Sequence, residues 1–168
     1  MNTLMIAMAM TVQSDGLDTS FKSYMDYKYI TNTDSVQYEL QQDAWTDENG
    51  LRRYGDEYMV AVGSYYGDVG DHIEVTLDTG EVLECIIGDS KGDRYYHLCG
   101  KGANVVEFIV DTHKLDKTVT KMGDCSWIDG LEGQVLTIEN SRTTYGSSDE
   151  NLAEKHCQDN KTWRIFYC

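Results

Sequence analysis

The chain has 168 residues, with 14 Lys and Arg against 29 Asp and Glu, and a formal net charge of -15. So acidic a chain repels nucleic acid and anionic bilayers, whose affinity comes from exchanging counterions for Lys and Arg, and both fall to the bottom of the list of partners. The length suits one main core with extensions, and 11% aromatic with 26% charged residues belong to a folded chain rather than a disordered one.

With Pro 0 and Gly 15, the β-turns fall to Gly, Asn and Asp, which tolerate the backbone angles of tight reversals. Residues 4 to 10 (LMIAMAM) contain the small-residue pattern Ala7-Met8-Ala9. The run is short and Met1-Asn2-Thr3 has no basic residue, which argues against a secretion leader. No apolar run approaches the roughly 20 residues of a membrane span. Residues 36 to 44 (VQYELQQDA) alternate, with Val36, Tyr38 and Leu40 on one side and Gln37, Glu39 and Gln41 on the other. That period predicts a half-buried strand, and Asn49-Gly50 after it predicts a reversal, hence a hairpin over residues 36 to 58.

Residues 58 to 66 (YMVAVGSYY) are nearly all apolar or aromatic, which predicts a buried strand in which Gly63 marks a bulge or a close approach. Residues 72 to 77 (HIEVTL) and 81 to 87 (EVLECII) flank Asp78-Thr79-Gly80 and predict a second hairpin. Residues 104 to 110 (NVVEFIV) and 134 to 138 (QVLTI) add two strands. A helical pattern is confined to residues 149 to 156 (DENLAEKH), whose early acids suit a helix N-terminus, and residues 163 to 168 (WRIFYC) alternate again. Val69-Gly70-Asp71 and Met122-Gly123-Asp124 form a weak internal echo of the kind that a barrel of two similar halves would carry. The expected fold class is therefore all-β. Closure into a small six-stranded barrel would remove exposed edges. Residues 1–35 form an N-terminal extension, residues 36–138 the barrel domain with its leading hairpin, and residues 139–168 a C-terminal extension.

Five cysteines (Cys85, Cys99, Cys125, Cys157, Cys168) are odd in number, widely spaced and without a CxxC pair, which predicts buried, reduced thiols rather than a zinc knuckle or disulfide framework. His97 with Cys99, and His156 with Cys157, supply too few ligands for a metal. Gly100-Lys101-Gly102 lacks the strand, spacing and helix of a phosphate cradle. No metal and no cofactor are expected.

The segment from residue 58 to 111 carries the strand V-A-V, a glycine loop before I-E-V-T-L, a strand ending in Ile87-Gly88-Asp89, and Asn104-Val105-Val106-Glu107. It resembles the double-psi β-barrel domains of bacterial and phage cell-wall enzymes, particularly the three-aspartate group related to lytic transglycosylases. It is also similar to Firmicute and phage proteins that share V-A-V-G-S-Y-Y-G and a D-x-K-x-D stretch, here Asp89-Ser90-Lys91-Gly92-Asp93. The resemblance covers about a third of the chain. It places Asp89 on the first acid, with Ser90-Lys91 where the family has Thr-Gly, and Glu107 on the second acid as an Asp-to-Glu change. The third acid would fall near Gly63, which has no carboxylate.

What the resemblance implies is cleavage of a cell-wall glycan by one carboxyl group acting first as acid and then as base, with the sugar's own 6-hydroxyl in place of water. Such a reaction needs a proton for the leaving oxygen and negative charge near the developing oxocarbenium ion. Asp89 ends an apolar strand (Leu83, Cys85, Ile87), where poor solvation favours the protonated carboxyl; the plainer alternative is a turn-capping Asp. Glu107 stands between Val106 and Phe108, so alternation sends it to the opposite face, to line a groove or to meet solvent. Tyr65 and Tyr66 offer faces for stacking sugar rings, with core packing as the rival reading. Lys91, Asp93 and His97 complete the candidate substrate-binding set. The partner is then bacterial cell-wall glycan and the place of action the cell wall. The alternative, favoured by the missing acid at Gly63, is a non-catalytic glycan-binding or virion component with phage tail proteins as partners. Catalysis requires Asp89 and Glu107 to open into one groove.

Overall fold

Three short runs are apolar at every position: Met59-Val60-Ala61-Val62, Cys85-Ile86-Ile87 and Phe108-Ile109-Val110. A strand with one wet face alternates, so unbroken runs call for cover on both faces. The computed structural model shows that cover. It describes residues 8–11, 19–64, 66–91 and 105–140. In chain order the elements are β1 (Met8–Thr11), β2 (Ser23–Asp26), α1 (Val36–Asp43), β3 (Trp45–Thr46), β4 (Arg52–Tyr54), β5 (Glu57–Gly63), β6 (His72–Leu77), β7 (Val82–Lys91), β8 (Glu107–Val110), α2 (Lys117–Met122) and β9 (Val135–Asn140).

The strands form one mixed sheet. Its hydrogen-bonded path runs β1-β9-β6-β7-β5-β4-β3, with β8 joined to β5 and β2 joined to β8. β5 lies parallel to β7, and β2 parallel to β8. Among the described residues the molecule is predominantly β, but the sheet is open and nine-stranded where a closed six-stranded barrel was expected. The reason lies at β5. One edge of this strand carries β7, and the other is divided between β4 (at Glu57 and Tyr58) and β8 (at Val60 and Ala61), so the ladder branches there.

On the inner face, residues of five strands meet: Val60 and Val62, Ile73, Val75 and Leu77, Leu83, Cys85 and Ile87, Phe108 and Val110, Val135 and Ile138. Leu115, Val119, Cys125, Ile128 and Leu131, from α2 and its flanking turns, complete this cluster. The thiols of Cys85 and Cys125 are free and buried, as expected of them; burial pushes both up, Cys125 to about 12. The outer face has its own small cluster of Met59, Ile86 and Ile109, against which Met25, Tyr27, Leu40 and Ala44 pack.

Residues 36 to 44, expected as a strand, form α1 instead. Ser35 caps the helix by accepting the Tyr38 N–H at 3.2 Å, and Gln37, Glu39, Gln41 and Gln42 are all good helix formers. Helical spacing puts Leu40 and Ala44 on one side, over the outer cluster. At the other end Arg52, buried, donates to the Gln41 and Ala44 carbonyls at 2.8 and 2.9 Å and to Gln41 Oε1 at 3.1 Å. That satisfies carbonyls the helix leaves open. The expected hairpin over residues 36 to 58 is therefore replaced by two shorter ones, β3–β4 and β4–β5. The Asn49-Gly50 reversal is present between β3 and β4, with Gly50 at φ +85° and a Cβ there only 2.8 Å from the Leu115 nitrogen.

The irregularity expected at Gly63 sits at Gly88. Val60 faces Ile87 but Ala61 faces Asp89, so Gly88 is the extra residue. A Cβ on it would approach Ile109 Cδ1 to 2.7 Å and Met59 Cε to 3.0 Å. The two Gly-Asp pairs do different work. Asp71 accepts the Asn140 amide at 2.9 Å beside the start of β6. Gly123 ends α2 in the left-handed conformation, and Asp124 caps the turn Cys125–Trp127 and accepts the Lys22 N–H. Lys22 is fully buried, its Nζ donating to the carbonyls of Ser20 (3.1 Å) and Gly133 (2.7 Å). Burial holds its ammonium below the usual lysine value, with Asp124 and Asp78 pulling the other way.

Candidate functional site

The outer face of β8, β5 and β7 is where the two expected acids meet. Asp89 on β7 is in register with Ala61 on β5, and Ala61 is in register with Glu107 on β8. Residues in register on neighbouring strands share a face, so both carboxylates project to the same side, separated by a methyl group. Two strand spacings place their Cα atoms roughly 10 Å apart. The bulge at Gly88 makes this possible. Without the extra residue, alternation from Ile87, which faces the inner cluster, would put Gly88 opposite Ala61 and turn Asp89 inward.

Glu107, half-buried, is held from β2, where Ser23 Oγ donates to its Oε1 at 2.8 Å and Ser23 is its register partner. Asp89, also half-buried, accepts the Ser90 N–H at 2.8 Å and, at a long 3.5 Å, the Gln37 side-chain amide of α1. Lys91 lies opposite Gly63, one alternate position beyond Asp89 and Ala61, and so on the same face. Burial pushes its ammonium below the usual lysine value, while the Glu107 carboxylate acts in the opposite sense. The arrangement is two carboxylates and one cation over a floor of Ala61 and Gly63.

Of the other residues expected at the site, Tyr66 takes the core-packing alternative. It is buried in the inner cluster, its N–H donating to Gly63 O at 3.0 Å and its carbonyl accepting the Asn140 amide at 2.9 Å. A ring packed there presents no face to a sugar. Tyr65, Asp93 and His97 lie outside the described residues, as do Cys99, Cys157 and Cys168, the helical pattern of residues 149 to 156 and the alternation of residues 163 to 168. Sequence reasoning missed Ser23 and Gln37. Nothing near Ser23 announces β2, since S-Y-M-D has no strong period, and Gln37 was misassigned with its helix, for which the cap Ser35 was the available signal.

Among the described residues no group of three or more His, Cys, Asp or Glu side chains is placed to hold a metal ion, and no helix is long and apolar enough to cross a membrane. A scan against protein-family models and searches of curated proteins and of solved structures found nothing that matches the chain.

Proposed function

We propose that the protein cleaves cell-wall glycan strands in the manner of the lytic transglycosylases that residues 58 to 111 resemble. The observation that carries this reading is the cross-strand row Asp89–Ala61–Glu107, two carboxylates on one face with a small residue between them. Asp89 gives its proton to the glycosidic oxygen as the bond from C1 breaks. Glu107, held by Ser23, supplies fixed negative charge beside the oxocarbenium ion. The C6 hydroxyl of the same sugar then adds to C1 and returns its proton to Asp89, leaving a 1,6-anhydro ring on one fragment and a free hydroxyl on the other. No water is consumed.

The second reading is a glycan-binding or virion component without chemistry. It is favoured by the pairing of Gly63 with Lys91, which puts a cation where the resemblance would have a third acid. Incubation with purified Gram-positive peptidoglycan, followed by mass spectrometry, decides between them. Soluble fragments ending in anhydro sugars are the expected outcome. Retention of the protein on the insoluble glycan without such fragments selects the second reading, and neither retention nor fragments overturns both.

A further inference from the structure

At the C-terminal end of β2 an open cleft of about 480 Å³ is lined by Tyr24, Met25, Asp26, Lys28, Tyr29 and Thr112, a volume in the range of small-ligand sites. Its wall is unusually firm for so exposed a place. Asp26 is buried and accepts the Lys28 N–H at 2.9 Å, the Thr112 N–H at 3.1 Å and the Thr112 hydroxyl. The Arg52 guanidinium lies 4.6 Å from the centre of the Tyr27 ring, so the turn Tyr27–Tyr29 is fastened on both sides. Yet Tyr29 itself is 78% exposed. An aromatic ring held out on a fixed backbone loses little freedom when a ligand covers it.

The chemistry of the lining selects the ligand. Tyr29, Tyr24 and Met25 present flat or apolar surface that suits the C–H face of a pyranose, and Lys28 of the lining, whose Nζ stands 3.9 Å from Asp111 Oδ1, offers a donor to its hydroxyls. The net charge of -15 disfavours polyanions such as nucleic acid or acidic polysaccharide. Position supplies the last step. Met25 is two residues beyond Ser23 on the same strand and therefore on the same face, and Ser23 holds Glu107. From Ser23 to Asp26 the strand advances roughly 10 Å, a distance that a short oligosaccharide bridges.

We infer that this cleft is a second carbohydrate subsite, binding uncharged pyranose units of the same strand whose bond lies over Asp89 and Glu107; the inference rests on the proposed function. The probes are the uncharged oligomers chitotetraose and chitohexaose, titrated calorimetrically into the full chain and into Tyr29→Ala and Tyr29→Phe, with thermal midpoints checked in parallel. The expected result is chitohexaose binding weakened about tenfold in Tyr29→Ala and kept in Tyr29→Phe. In peptidoglycan cleavage Tyr29→Ala should raise KM while leaving kcat in place. Equal binding by wild type and Tyr29→Ala overturns the subsite and leaves the cleavage reading standing. Anhydro-sugar release by a wild type that binds neither oligomer does the same. Absence of both binding and cleavage removes the proposed function, and the subsite with it.

Discussion

Two rows of carboxylates lie on the outer face of this one sheet, and they differ in what stands between the acids. In Asp89–Ala61–Glu107 a methyl group separates them, a hydroxyl from β2 holds one, and an amide from α1 reaches the other. In Glu84–Glu74–Glu139 three glutamates stand directly opposite one another across β7, β6 and β9. Like charges so placed cost stability, and no gap is left for a ring. Acids pointing in one direction are thus not enough to make a site; spacing and donors separate the two rows. The cover differs as well. The first row borders the apolar cluster beneath α1, whereas Glu74 and Glu84 are exposed.

The largest expected effect tests the cover. Ile109→Ala, in the outer cluster at 0% exposure, should lower stability by about 2–5 kcal/mol, whereas Val82→Ala on the exposed part of the same face should change it by no more than about 0.5 kcal/mol. Urea titration of both variants checks this, and equal losses would show that α1 does not protect one half of the face. Next comes the chemistry of the first row. Asp89→Asn should cut glycan cleavage about a hundredfold or more with the thermal midpoint unchanged. Glu107→Gln should cost less, since other dipoles partly replace a fixed charge but not a proton donor. Cleavage that survives Asp89→Asn would remove the row from the mechanism.

A smaller effect follows from Asp26. Burial pushes its carboxyl up, but the Thr112 hydroxyl and the N–H groups of Lys28 and Thr112 outweigh burial and hold it below the usual aspartate value. A depressed carboxyl stabilises the fold above the unfolded aspartate pKa of about 3.9, and that contribution is lost as pH falls through the folded value. Asp26→Asn should therefore cost about 1 kcal/mol at neutral pH, the usual worth of such a cap, and the gap from wild type should narrow below about pH 4. A constant gap across that range would contradict the assignment. The smallest effect belongs to the second row. Glu74→Gln should raise stability by a few tenths of a kcal/mol at low salt and lose that gain in high salt, where the repulsion is screened. Melting curves at two ionic strengths read it.

Much of the fold was legible where pattern and burial agree. β6 appears with the bounds its alternation predicts, the Asp78-Thr79-Gly80 reversal is present, and β7, β8 and β9 each overlap an expected strand. Failure came where local pattern was ambiguous. Val36, Tyr38 and Leu40 satisfy a period of two, but the Ser35 cap and the stretch of Gln and Glu favour a helix, and an open outer cluster is there to receive it. Neither Lys22 nor Arg52 looks like a core residue by type. Both are buried because backbone carbonyls satisfy their donors, that of Gly133 for Lys22 and those at the end of α1 for Arg52.

The sequence by itself determined that the chain is acidic, predominantly β and reversed at glycines, and it picked out Asp89 and Glu107 as the acids to watch. Those are properties of composition and of neighbours along the chain. Tertiary structure alone decided that the two acids share a face, because that outcome depends on one extra residue, Gly88, in the pairing of β7 with β5. It also decided that the sheet branches at β5 rather than closing, and that Ser23, 84 residues from Glu107, provides the hydroxyl that holds it. Register and strand order are set by which surfaces bury one another across the whole molecule, and no local period records that choice.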